Sequence, residues 1–208
     1  MTEITETRNP ARKKSAITVR YIAVTGVLSA AAFVLQLIEI PLPFIMPTFI
    51  KFDFSDLPAL IGSFALGPVC GVIIELIKNI LHAALATGSF GVGELSNFIL
   101  GAVFVAVAGS IYKRNKTRRT AIIAAAVGAV LMAVVSFPSN LFVVYPVYYN
   151  FMPKDVILAA YQAIFPGVKS IEQSLLLFNV PFTFAKGMID VFVTLLVYKK
   201  ISTVIKGR

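Results

Sequence analysis

The chain has no tryptophan, one cysteine, one histidine and few charged residues for its length. Each scarcity excludes something. A single cysteine, Cys70, rules out an intramolecular disulfide, and its place in an apolar run marks it as a small buried residue. A single histidine, His82, rules out a histidine-based metal cluster. Charged residues make up 14% of the chain, against ~25% in an ordinary soluble domain, while apolar ones reach 58%, against ~45–50%. The 208 residues therefore read as one integral membrane domain, an all-α bundle with no room for a separate soluble unit. Enzyme signatures are missing as well. The sequence has no His-Glu-x-x-His, no Gly-x-Ser-x-Gly and no Walker A motif, so neither catalysis nor direct use of ATP is expected.

What is present is a series of apolar runs near the ~20 residues needed to cross a bilayer. The first covers 17–38, behind a polar, basic tail at 1–16. A signal peptide starts in the same way, and Ser29-Ala-Ala-Ala32 has the small residues of a cleavage site. The apolar run continues to Ile38, however, and more follow, so it reads as an uncleaved first span. Glu39 and the prolines between Pro41 and Pro47 end it. Ser55 or Asp56 can cap the next helix, with Pro58 tolerated in its first turn. Gly67-Pro68 divides the stretch that follows, read here as helices at 56–66 and 67–86, although one long kinked span fits the same residues. After a turn at Thr87–Gly93, further spans are expected at 94–112, 120–148 and 175–200. Residues 149–174 are too polar to cross, with a surface helix expected over 154–165.

Lys and Arg concentrate in loops that stay cytoplasmic. Arg8, Arg12, Lys13, Lys14 and Arg20 precede or open the first span; Lys113, Arg114, Lys116, Arg118 and Arg119 form one loop; Lys199, Lys200, Lys206 and Arg208 end the chain. Only Lys51, Lys154 and Lys169 fall on the other side. An even number of spans puts the three basic groups together, so six transmembrane helices with both termini cytoplasmic are expected. The net charge of +9 thus reads as topology and lipid contact in the bilayer, not as a nucleic-acid surface.

The candidate site begins with Lys186, a charge inside the apolar stretch Val180–Tyr198. Such a group costs a few kcal/mol in hydrocarbon and is usually kept for a ligand or a pathway. Asn179, Thr183 and Lys186 are spaced to share one helix face. Asp190, four residues on, offers an intrahelical ion pair as the plainer account. Asn140 follows Pro138, where a kink can aim its amide inward, and Asn97 accompanies Glu94 at the start of the fourth span. The loop Pro41–Asp56 is stiff and apolar, suited to cover the mouth of a bundle. Its Phe44, Met46, Thr48 and Phe49 are taken as ligand contacts, with a packing plug as the alternative. Asp53 and Asp56 read as structural, one of them at a helix N-terminus. Glu75, Lys78, Asn79 and His82 form a polar stripe that is either a neutralised ion pair with its neighbours or the proton relay of an autonomous carrier. Gly26 and Ala30 are small residues four apart, which let another helix backbone approach.

Several segments carry a family resemblance. They are Pro41-Leu-Pro-Phe44, Lys51-Phe-Asp-Phe-Ser-Asp-Leu-Pro-Ala-Leu-Ile61, Gly67-Pro-Val-Cys-Gly71, Ile77-Lys-Asn79 with His82, Gly93-Glu-Leu-Ser-Asn-Phe98, Asn140 with Pro146-x-Tyr148, and Pro181-Phe-Thr-Phe-Ala-Lys-Gly187. Together they resemble the substrate-binding S components of energy-coupling factor vitamin transporters, most of all the riboflavin-specific type, over about Tyr21 to Tyr198. The resemblance implies a bacterial cell-membrane protein of six helices that binds riboflavin as transported substrate and needs no cofactor. It implies that the first loop covers the flavin while Asn140, Thr183 and Lys186 grip it; Thr183 stands where the family often has asparagine. It also implies partners: a transmembrane coupling subunit docking at Gly26 and Ala30, and two ATPase subunits.

Overall fold

The computed structural model describes residues 11–85 and 91–206, with side chains at 19–85 and 91–197. The turn expected at Thr87–Gly93 therefore lies largely outside the described residues, as do most basic side chains of the two ends. Among the described residues, five helical stretches are long and apolar enough to cross a membrane: Val19–Gln36, Pro68–Leu85, Val92–Arg114, Arg118–Tyr148 and Ile171–Val197. The first belongs to helix α1 (Ala11–Gln36). A shorter apolar helix, α2 (Asp56–Leu66), is followed by α3 (Pro68–Leu85) and α4 (Val92–Arg114).

Residues 56–85 form two helices because Gly67 takes φ 105°. Only glycine adopts that conformation without strain, and Pro68 then has no N–H to continue the first ladder. The loop ahead of α2 contains an element that its prolines conceal, so the molecule is not purely helical. Strands β1 (Ile40–Pro41) and β2 (Lys51–Phe52) pair antiparallel, Ile40 opposite Phe52 and Pro41 opposite Lys51. A Lys51–Glu39 ion pair stands beside the ladder.

The fifth span is α5 (Arg118–Ser139), a π-helical turn at Asn140–Val144, and α6 (Tyr145–Tyr148). Pro138 cannot donate to the preceding turn, and the ladder widens after it until the Tyr145 N–H reaches the Asn140 carbonyl. The last span repeats the device. It opens as α8 (Ile171–Ser174), earlier than the expected start at 175, widens over Leu175–Asn179 and continues as α9 (Val180–Lys206). Between these spans α7 (Lys154–Gln162) is shorter than the expected 154–165, ending ahead of Pro166.

Two clusters make the core. One joins α1 through α5 and α9, with small residues such as Ala59, Ala108, Ala124 and Ala129 around Leu60, Ile74 and Phe104. Hydrocarbon gives no hydrophobic drive between helices, so close backbone approach takes its place. A Cβ on Gly128 would stand 2.8 Å from the Phe104 carbonyl oxygen. Cys70 is buried in this cluster. The other cluster gathers Tyr145, Tyr148, Ile157, Tyr161, Ile171 and Leu175, with Phe49 of the loop against them.

Candidate ligand-binding site

A cavity of about 270 Å³ opens where these elements meet, near the lower bound of the ~300–1,000 Å³ usual for ligand clefts. The loop supplies Thr48 and Phe49, the start of α4 supplies Asn97, the π turn after α5 supplies Asn140, and the last span supplies Asn179, Thr183 and Lys186. Seven of the nine candidate ligand contacts thus share one wall system. The other two do not. Phe44 is 92% exposed, and Met46 is fully buried but does not line the cavity. The backbone explains both: the N–H groups of Ile45 and Met46 each reach the Leu42 carbonyl, a tight turn that throws Phe44 outward and tucks Met46 inward. On α1, Gly26 and Ala30 lie on the exposed face, while Thr25 and Ser29 are buried.

Charge lines one side. Lys186 Nζ stands 3.0 Å from Asp53 Oδ2 and 3.3 Å from Asp56 Oδ2. Lys78 Nζ lies 2.5 Å from Asp56 Oδ1, 2.7 Å from Ser55 Oγ and 2.9 Å from Glu75 Oε2. Asp56 therefore bridges two ammonium groups, one from α3 and one from α9. The plainer reading of Lys186 is corrected here: its ion pairs are to Asp53 and Asp56, and the Asp190 carboxylate has no hydrogen-bond partner among the described residues. Asp53 does keep a local role, since its Oδ1 accepts the Ser55 N–H at 2.8 Å. The α3 stripe is likewise absorbed by neighbours. His82 Nδ1 lies 2.7 Å from Glu94 Oε1, and Asn79 Oδ1 accepts from Gln36 Nε2 at 3.0 Å.

Neutral groups line the other side. Tyr161 donates its hydroxyl to Asn179 Oδ1 at 2.6 Å, the Tyr145 and Tyr161 hydroxyls are 2.5 Å apart, and Asn179 Nδ2 reaches the Tyr145 hydroxyl at 3.4 Å. A hydroxyl has one proton to give. Since that of Tyr161 goes to Asn179, that of Tyr145 goes to Tyr161, and the ring closes. Burial is the main cause that pushes the Tyr161 phenol well above its usual range, so it stays neutral. Phe49 packs edge-on against Tyr161, with ring centroids 6.3 Å apart. Ser96 donates to Asn140 Oδ1 at 3.2 Å.

Sequence reasoning missed Gln36, Tyr145, Tyr148 and Phe182, which also line the cavity. A signal existed for Tyr161, placed four residues after Ile157 on one face of α7, both buried. Among the described residues no group of His, Cys, Asp and Glu side chains is arranged to hold a metal ion.

This arrangement of apolar spans around a polar, half-aromatic cavity has a counterpart. The family model for the ECF transporter, substrate-specific component, matches residues 20–198, and the chain belongs to that family. It is a multi-pass membrane protein. It is 32% identical over 182 residues to the riboflavin transporter RibU of Staphylococcus aureus (strain TCH60), spanning 87% of this chain and 89% of that one. It is 28% identical to the riboflavin transporter FmnP of Bacillus subtilis (strain 168), spanning 88% and 92%. A solved structure described as the S component of a bacterial ECF transporter superposes with a TM-score of 0.71 at 31% identity, covering 91% of this chain and 99% of that chain.

Proposed function

We propose that this chain is a riboflavin-binding S component that captures the vitamin from outside and hands it inward with an ATP-driven energy-coupling module. The observation that carries this is the cavity itself. Phe49 and Tyr148 offer flat apolar surface, while Asn140, Asn179, Thr183 and Lys186 bring amide, hydroxyl and ammonium groups to the same space. A planar heteroaromatic ring with a polyhydroxylated tail suits that mixture. The relatives named as riboflavin transporters, aligned over most of the chain, support the choice of compound.

In this reading α2 is a short sixth membrane helix, both termini are cytoplasmic, and the basic loop between α4 and α5 faces the same side. Riboflavin is substrate, not cofactor, and the chain performs no catalysis of its own. The partners are a transmembrane coupling subunit and two ATPase subunits. The exposed face of α1 with Gly26 and Ala30 suits the coupling subunit, since no heavy atom lies within 4 Å of where a Gly26 Cβ would stand.

Titration of the purified, flavin-free protein in detergent with riboflavin tests the assignment. Saturable quenching of flavin fluorescence is expected at or below micromolar concentration. Absence of quenching there sinks the substrate assignment.

A further inference from the structure

We infer that Gln36 supplies the cavity's fixed hydrogen-bond acceptor, its Oε1 taking a hydrogen bond from an N–H or O–H group of the ligand. The identity of that ligand rests on the riboflavin reading; the orientation of the acceptor does not.

Gln36 is the last residue of α1, fully buried, and lines the cavity. Its orientation is set from α3. The backbone carbonyl of Glu75 can only accept, so Asn79 turns its Nδ2 toward it, at 2.8 Å. That leaves Asn79 Oδ1 facing α1, where it accepts Gln36 Nε2 at 3.0 Å. Reversing the Gln36 amide would press two oxygens together at this distance, and neither carries a proton. The nitrogen is therefore held against Asn79 and the oxygen is left over. Gln36 Oε1 is buried with no hydrogen-bond partner among the described residues.

A buried amide oxygen in this state carries a desolvation cost that a donor would relieve. Lys186 places an ammonium donor in the same cavity, so Gln36 adds the complementary acceptor. Riboflavin has two kinds of donor to offer, the imide N–H of its ring and the hydroxyls of its ribityl chain. A compound of similar shape without a donor at this point would leave the oxygen unpaired and bind less well. Gln36 thereby selects by hydrogen bonding where shape alone discriminates weakly.

The test is riboflavin titration of Gln36→Met, which keeps length and loses both amide atoms. An affinity loss of roughly tenfold is expected for one buried hydrogen bond. Asn79→Leu, which frees the Gln36 amide to turn, serves as the second variant and should weaken binding in the same direction. The double variant should lose little more than Gln36→Met alone. Lumiflavin, which has the ring but no ribityl chain, separates the two donors. An equal loss for lumiflavin assigns the ring N–H; a loss confined to riboflavin assigns a hydroxyl. Unchanged riboflavin affinity in Gln36→Met overturns the inference, as does full additivity of the two variants. If the wild type ignores riboflavin, the substrate assignment falls by itself. The vitamin that raises the wild-type melting temperature then replaces riboflavin in the same comparison, and an undiminished shift in Gln36→Met overturns the Gln36 role.

Discussion

On one side of the cavity Lys186 stands between Asp53 and Asp56, and Asp56 continues to Lys78 and Glu75. On the other, Asn179 closes a ring with Tyr145 and Tyr161. Both sides bury polar groups almost completely, yet they tolerate damage differently. An ion removed from a buried pair leaves its partner charged in a medium that solvates charge poorly, at a cost of about 3–5 kcal/mol. A hydroxyl removed from a neutral ring leaves an unpaired dipole, at about 1–3 kcal/mol. The charged side thus holds elements together at greater risk, and the neutral side sets the direction of its groups at less.

Three single substitutions, the first extended by a double variant, sharpen this contrast in falling order of effect. Lys186→Met should lower stability by about 3–5 kcal/mol, since Asp53 loses its ammonium partner. Chemical denaturation in detergent measures it. Adding Asp53→Asn should return much of that stability, and riboflavin affinity then decides between two roles. Affinity that stays low in the double variant assigns Lys186 to the ligand; affinity that returns assigns it to anchoring the loop through Asp53.

Tyr161→Phe keeps the ring packing against Phe49 and Phe178 and deletes only the hydroxyl. A loss of about 1–3 kcal/mol is expected in the same denaturation assay. A loss as large as that of Lys186→Met would erase the distinction between the two sides. Asp190→Asn should cost nothing measurable, or stabilise slightly, because neither carboxylate oxygen has a hydrogen-bond partner among the described residues. A clear drop in melting temperature would reveal a contact that the ion-pair geometry does not contain.

Much of this was legible in the sequence, for identifiable reasons. Apolar runs mark spans because lipid forbids unpaired backbone, and the face shared by Asn179, Thr183 and Lys186 follows from helical spacing alone. The partner of Lys186 was not legible. Asp53 is 133 residues away, and spacing offered only Asp190 on the same helix as an alternative to a ligand. In the loop, no periodicity says which side chain turns inward, so Phe44 and Met46 were grouped with Thr48 and Phe49 although the turn separates them. Gln36 carries no local signal inside the first apolar run; only its bond to Asn79 on another helix makes it a directed group. The aromatic ring needed three elements to meet, which no local pattern announces.

The two π turns carry a consequence for how this chain can vary in length. Each adds one residue to a helical turn, and each holds residues that line the cavity, Asn140 in one and Asn179 in the other. Deleting one residue from 140–144 would let the ladder return to ordinary α geometry. Five residues in a π turn advance the helix by about the same rotation as four in α geometry, so everything beyond would keep its face relative to everything before. Tyr145 would keep its face toward Tyr161 although the chain had lost a residue. A deletion in 175–178 would leave Thr183 and Lys186 facing the cavity in the same manner. Elsewhere in a membrane span, losing a residue would turn everything beyond it by about 100°. At these two turns the cavity's reading frame would survive the loss.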